Sequence, residues 1–226
     1  MKRKIIISPS LICADLCNLE KEVKDLSLAG MKSLHVDLID PHFSPSMPLG
    51  LDTVRQLRQK TDMFFDCHVM VENQDFFVDE LLDIGVQQIV FHAETQPHID
   101  GMINRIHAKG VKAGIALKPS TPLSTVEYVL DKCDSVLLML INPGYAFLKG
   151  EKQVAYADRK IRQLRQMINE RGLDTKIELD GRISLDNIRT YGKDLADVFV
   201  TGTTCLDRND LLGSFARLEQ IRKEIL

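Results

Sequence analysis

Residues 34–43 read LHVDLIDPHF. Side chains two apart in a strand share a face, so His35 and Asp37 point one way while Leu34, Val36 and Leu38 point the other. The surrounding run is apolar, which predicts a strand buried on both faces. A buried, unpaired charge is costly, so groups of this kind shift their pKa or find a partner. The segment therefore raises a question of fold and a question of chemistry.

Outward from this strand, the same rhythm continues in both directions. On its N-terminal side lies IIISPSLI and then DLCNLEKEVKDLSLAG, whose apolar spacing is helical and whose last residue, Gly30, suits a C-terminal cap. On its C-terminal side a helix is expected from about Leu51 to Lys60. MFFDCHVM then precedes DFFVDELLDIG, QIVFHAE precedes IDGMINRIHAKG, and VKAGIALKP precedes LSTVEYVLDKC. SVLLMLINPG leads into VAYADRKIRQLRQMINERG, TKIELDGRI into SLDNIRTYG, and ADVFVTGTT into DLLGSFARLEQIRKEIL. Eight strand–helix units of about 28 residues each account for the 226 residues. Strands alternating with helices imply a parallel sheet covered by its crossovers. Eight units predict a single α/β domain over residues 1–226, a (β/α)8 TIM barrel. An open doubly wound sheet is the competitor, but no G-x-G-x-x-G follows the first strand.

Composition narrows the function classes. The chain is 44% hydrophobic and 27% charged with a net charge of −3, and its cations are scattered among acids. No basic footprint for nucleic acid is present, and no apolar run approaches the roughly 20 residues of a membrane span. The opening MKRKIIISPSLICADL mimics a secretion signal, but Ser8, Pro9, Ser10 and Asp15 interrupt it, so a first buried strand is expected. Five cysteines without a C-x-x-C pair predict reduced thiols in a cytoplasmic protein.

Barrel active sites lie at the carboxyl ends of the strands. Ser8 and Ser10 end strand one, His68 and Met70 share a face at the end of strand three, and Glu178 and Asp180 share a face of strand seven. The barrel mouth thus receives His35, Asp37, His68 and Asp180. Two imidazoles and two carboxylates suit a divalent ion such as Zn²⁺, Mn²⁺, Co²⁺ or Fe²⁺. Separate hydrogen bonding would explain any one of them, whereas four at matching strand ends favour a metal. Gly181 in LDGRI and Gly202, Thr203 and Thr204 in VTGTT fit a phosphate held by backbone N–H groups, or ordinary turns. INPGYAFLKG, with Asn142, Pro143 and Gly144, is long enough to fold over a ligand. His92 ends strand four as a pocket or core residue, and Asp40 suits a turn. Cys13 and Cys17 are expected to share a helix face, His98 and His107 to be surface, and RKIRQLRQMINERG to be a solvated face.

The motifs ISPSLICADL, LHVDLIDPHF, FDCHVMVENQDFF, INPGY, ELDGRI and VTGTT resemble, in order and over nearly the whole chain, the ribulose-phosphate 3-epimerase family. The resemblance implies a ribulose-phosphate-binding barrel and an isomerase of pentose phosphate metabolism. It implies one divalent metal held by His35, Asp37, His68 and Asp180, with Asp37 and Asp180 also exchanging the substrate proton. It further implies that Ser10 and His68 contact substrate, and that Met70 and Met139 line the site. Gly144 would lie in the covering loop, and Gly181, Gly202 and Thr203 would help hold phosphate. The implied substrates are D-ribulose 5-phosphate and D-xylulose 5-phosphate. The Gly202-Thr203 pair is also similar to the allulose-6-phosphate branch, which interconverts with D-fructose 6-phosphate. A homo-oligomer is expected.

Several positions depart from the family pattern. Pro41 and Arg182 stand where glycines are usual, Ile39 replaces a methionine, and PGYAFLKG replaces PGFGGQ. GTTCL replaces GSAIF. The changed loops would permit a non-catalytic sugar-phosphate-binding barrel, but the intact acids and histidines argue against it. Related decarboxylases carry D-x-K-x-x-D, and DLID has no lysine between its acids.

Overall fold

The computed structural model describes residues 5–146 and 148–225, which leaves residues 1–4 of the opening segment, Phe147 of the covering loop and Leu226 outside it. The strands are β1 (Ile6–Pro9), β2 (Ser33–Ile39), β3 (Phe64–Met70), β4 (Gln88–His92), β5 (Lys112–Leu117), β6 (Ser135–Met139), β7 (Lys176–Asp180) and β8 (Val198–Thr201). All pair in parallel, in the order β1-β8-β7-β6-β5-β4-β3-β2. The remaining seam, between β1 and β2, carries a parallel bridge from Ser10 to His35. Side chains support that seam: the Ser8 and Ser33 hydroxyls lie 2.9 Å apart, and the Ser10 hydroxyl donates to Asp37 Oδ2 at 2.7 Å.

The helices are α1 (Leu19–Leu28), α2 (Leu51–Arg58), α3 (Gln74–Ile84), α4 (Ile99–His107), α5 (Ala157–Glu170), α6 (Leu185–Gly192) and α7 (Leu211–Ile225). Their apolar faces join the outward side chains of the strands in one large core that includes Leu34, Val36 and Leu38, all fully buried. Each such side chain contributes roughly 1.5–3 kcal/mol by leaving water. A second, separate cluster of Val90, Ala116, Leu137, Met139 and Ile141 comes from the alternate strand positions. Strand alternation therefore builds two cores and leaves the polar members of the inner set to find partners inside.

The segment 123–133 is not the expected helix. It forms one 3-10 turn, Leu123–Val126, followed by turns. Its bonds close over three residues, from Glu127 N–H to Ser124 O at 3.2 Å and from Val129 N–H to Val126 O at 3.1 Å. Thr125, Val126 and Val129 are β-branched and crowd an α-helical turn, and burying Val126 and Leu130 suffices to cover the sheet here. Cys13 and Cys17 also do not share a helix face, because Cys13 ends a 3-10 turn and α1 starts only at Leu19. The cationic α5 is not wholly solvated either. Lys160 is buried and donates to the Lys118 and Pro119 carbonyls at 2.8 and 3.0 Å, and Arg165 pairs with Asp197 at 2.6 Å.

Inside the barrel, the Gln88 amide N–H₂ donates to Asp66 Oδ1 at 2.9 Å and to Glu178 Oε1 at 2.5 Å. Burial and the neighbouring Asp66 push Glu178 up from 4.5 to about 8. The folded chain thus binds this proton more tightly than the unfolded chain, and stability falls as pH rises from about 4.5 through 8. Glu178→Gln is expected to flatten that decline, with a higher melting temperature than wild type at pH 9 and little difference at pH 5. Parallel melting curves for the two proteins across this range would show the Glu178 assignment to be wrong.

Candidate active site

Register on neighbouring strands brings the four candidate ligands together. β2 supplies His35 and Asp37, β3 places His68 beside Asp37, and β7 ends on Asp180. One donor atom from each lies within 4.8 Å of the others. Asp37 Oδ1 is 3.3 Å from His35 Nε2 and 3.4 Å from His68 Nδ1, and Asp180 Oδ2 is 3.7 Å from His68 Nδ1. Both of these ring nitrogens are buried and lack a hydrogen-bond partner.

The opposite side of each ring explains why those nitrogens face inward as lone pairs. His35 Nδ1 lies 2.9 Å from Asp66 Oδ2, and an ionised carboxylate only accepts, so the ring proton belongs on Nδ1. His68 Nε2 lies 3.0 Å from His92 Nε2, and His92 Nδ1 lies 2.7 Å from Glu94 Oε2. The other Glu94 oxygen accepts from Lys118 N–H at 2.7 Å and from the Thr121 hydroxyl. Glu94 therefore fixes the proton on His92 Nδ1, His92 Nε2 accepts from His68, and His68 Nδ1 is left unprotonated toward the cluster. Burial, working against Glu94, lowers His92 to about 4 and keeps its ring neutral. Two orphaned nitrogens and two carboxylates converging at this spacing fit a divalent cation, with Asp66, His92 and Glu94 as outer supports.

The cluster's electrostatics also call for positive charge. Burial opposes charging His35, yet Asp37 and Asp66 outweigh it and raise its pKa well above the usual value, so without a cation a proton takes the Nε2 lone pair that a cation would use. Burial likewise works against ionised Asp37, but His35 and His68 hold it below the usual carboxylate range. Asp180 moves the other way, raised by burial and then by Asp37.

A cavity of about 370 Å³ opens beside this cluster. Its walls include Ser10, Asp37, Met70, Met139 and Asp180, and further out Gly144, Gly181, Gly202 and Thr203. His35 and His68 are fully buried and are not among these walls. Gly144, at φ 80°, leaves no room for a Cβ against the Ser44 hydroxyl, so glycine lets the β6–α5 loop approach the loop after β2. Asp40 accepts from the His42, Phe43 and Glu72 N–H groups and shapes that second loop. His107 pairs with Asp134 at 2.8 Å on the surface, away from the cavity.

Sequence reasoning missed Asp66, Glu94 and Arg208 as neighbours of the candidate site, whereas Arg182 stood out as a departure from the family pattern. Asp66 carried a usable signal, because it sits two residues before His68 on the same face. Arg208 carried none.

The fold and this centre define a class: a parallel (β/α)8 barrel with an acid–imidazole site at the carboxyl ends of its strands. Residues 6–206 match the model of the ribulose-phosphate 3 epimerase family. The chain is 35% identical over 222 residues to ribulose-phosphate 3-epimerase of Methanocaldococcus jannaschii, covering 98% of this chain and 93% of that protein. It is 34% identical over 209 residues to the enzyme of the same name from Escherichia coli K12, covering 92% of each. The chain belongs to the ribulose-phosphate 3-epimerase family and is an isomerase, an epimerase acting on carbohydrates. In fold alone it is similar to 3-keto-L-gulonate-6-phosphate decarboxylase of Vibrio cholerae, at 11% identity and TM-score 0.72 over all of both chains.

Proposed function

We propose that this protein interconverts D-ribulose 5-phosphate and D-xylulose 5-phosphate by inverting C3, with Asp37 and Asp180 moving the proton and a divalent cation held by His35, Asp37, His68 and Asp180. The observation that carries this reading is the placement of two carboxylates on one cavity, Asp37 on β2 and Asp180 on β7, beside two buried imidazoles. Two carboxylates at one pocket can serve as base and acid and exchange those roles with the direction of reaction.

Inverting a carbon next to a ketone requires removing a proton from one face and returning one to the other. Asp37 stands on β2 and Asp180 on β7, strands separated by β1 and β8 one way round the barrel and by β3 to β6 the other. The two acids therefore reach a bound sugar from different walls, one taking the C3 proton and the other delivering one, with roles exchanged in the reverse direction. A bound cation would supply positive charge beside the ketone oxygen, which acidifies the neighbouring C–H. Ser10 donates to Asp37 and holds its carboxylate in place. Met70 and Met139 form walls without proton donors, so water is kept from quenching the planar intermediate. Gly181, Gly202 and Thr203, at the outer end, are the groups assigned to the phosphoryl end, whose binding positions the reacting carbon.

The test is turnover in D₂O followed by NMR. Ribulose 5-phosphate is expected to yield both epimers, each acquiring one deuterium at C3. Exchange restricted to allulose 6-phosphate would move the assignment to the larger ketose. Sugar-phosphate binding without exchange on any ketose phosphate would leave a non-catalytic barrel.

A further inference from the structure

The outer end of the cavity is built from more than glycines. Arg182 follows Gly181 directly and lines the same cavity, as does Arg208 after β8. Among the described residues neither guanidinium meets a carboxylate. Arg182 Nη2 donates to the Ala146 and Leu148 carbonyls at 3.0 and 2.6 Å, and Arg208 Nε donates to the Cys13 carbonyl at 2.7 Å. Carbonyls do not neutralise Arg182, and Arg208 is balanced in part by Asp15, whose carboxyl is held down by Asn18, the Cys17 N–H and, more weakly, Arg208. The Arg182 Nε–H is buried without any acceptor among the described residues.

The backbone beneath Arg182 is also unusual. Its φ of 50° makes it the one non-glycine residue at positive φ among those described, a conformation that disfavours any side chain with a Cβ. Gln153 holds it there, donating to the Gly181 carbonyl at 2.8 Å and the Arg182 carbonyl at 3.2 Å. Strain of this kind persists where surrounding structure fixes it, and clusters at ligand sites. Glycine would fit this backbone without strain. An arginine here needs a reason in its side chain, and that side chain borders the cavity.

The cavity is therefore bipolar, with Asp37 and Asp180 at its inner end and two guanidiniums at its rim that contact no carboxylate among the described residues. We infer that Arg182, together with Arg208, binds the anionic terminus of the substrate, so that this chain selects ketoses bearing a phosphoryl dianion through charge-assisted guanidinium contacts. The inference rests on the ketose-phosphate reading above and makes Arg182 its specificity determinant. A guanidinium presents a planar fork to phosphoryl oxygens and keeps its charge at any working pH.

The experiment compares wild type with Arg182→Gly and Arg182→Lys. Glycine relieves the φ strain and keeps the fold, and lysine keeps charge without the fork. Two quantities are read: KM for ribulose 5-phosphate across a series of salt concentrations, and the Kd of inorganic phosphate by calorimetry. The glycine variant is expected to raise both by roughly ten- to a hundredfold, with kcat falling less than KM rises and with a flatter salt dependence of KM. Lysine is expected to fall between. A residue that merely ties β7 to the preceding loop would not change the salt dependence. Turnover in wild type with KM and phosphate Kd within about twofold in the glycine variant would overturn the inference alone. No turnover in wild type, with a phosphate Kd that still depends on residue 182, would sink the proposed function and leave the anion site standing.

Discussion

Asp37→Asn and Asp180→Asn are each expected to lower epimerisation by about a thousandfold or more, the scale of losing a positioned proton-transfer group. The two losses should differ in kind. With Asp180 replaced, Asp37 can still remove and return a proton on its own face, so one epimer should exchange its C3 hydrogen with solvent without inverting. With Asp37 replaced, the other epimer should do so. Asparagine keeps the shape of each side chain. At residue 37 it can still accept from the Ser10 hydroxyl, which donates to Asp37 at 2.7 Å. Residual exchange is followed by NMR in D₂O, with circular dichroism and metal content measured alongside. Exchange of the same epimer in both variants, or turnover close to wild type in either, would end the two-acid assignment.

The convergence of His35, Asp37, His68 and Asp180 was legible in the sequence because it depends only on strand periodicity and on barrel polarity, whereas the proton-exchange role came from the family resemblance. LHVDLI put His35 and Asp37 on one face, and β2 spans Ser33–Ile39 as the run suggested. His68 and Asp180 needed only the rule that chemistry gathers at strand ends. What escaped reading depends on register between strands, which one sequence does not display. Asp66 reaches His35 because those two residues are direct partners across β2 and β3. Glu94 matters only because His92 lies against His68. The fifth crossover failed for a local reason: its apolar spacing is helical, but its β-branched residues and short span settle for a 3-10 turn. Arg182 was visible as a departure from the family pattern, yet its meaning required the cavity and the backbone angle.

The likeness to a decarboxylase barrel at 11% identity sets a useful contrast. Fold similarity at that level is shared scaffold, and function lies in the residues placed at the strand ends. Here those residues are two acids on separated strands and two imidazoles whose tautomers are fixed from behind. A lysine between paired acids is absent from DLID. The chemistry we propose for that set of residues is proton removal and return next to a carbonyl.

Removing the cation with a chelator is expected to abolish turnover while the barrel stays folded, and adding back a divalent metal should restore it. The fold should survive because the ligands have independent supports: Ser10 on Asp37, Asp66 on His35 and His92 on His68. The stronger version of this prediction concerns Glu94→Gln, which touches neither the ligand set nor the cavity wall. If the glutamine turns its amide N–H₂ toward His92 Nδ1, that nitrogen must accept. His92 Nε2 must then donate, His68 Nε2 must accept, and the His68 proton moves onto Nδ1, where it blocks the cation. If the glutamine instead turns its oxygen to His92, its N–H₂ faces the Lys118 N–H and the Thr121 hydroxyl that Glu94 accepts from. Either orientation penalises the tautomer that binds metal, so affinity should fall roughly ten- to a hundredfold. Competitive titration against a chromophoric chelator measures this directly, without reference to turnover. Equal metal affinity in Glu94→Gln and wild type would mean that the His68–His92–Glu94 chain does not set the His68 tautomer, and saturating metal that fails to revive the chelated wild type would remove the cation from the reaction.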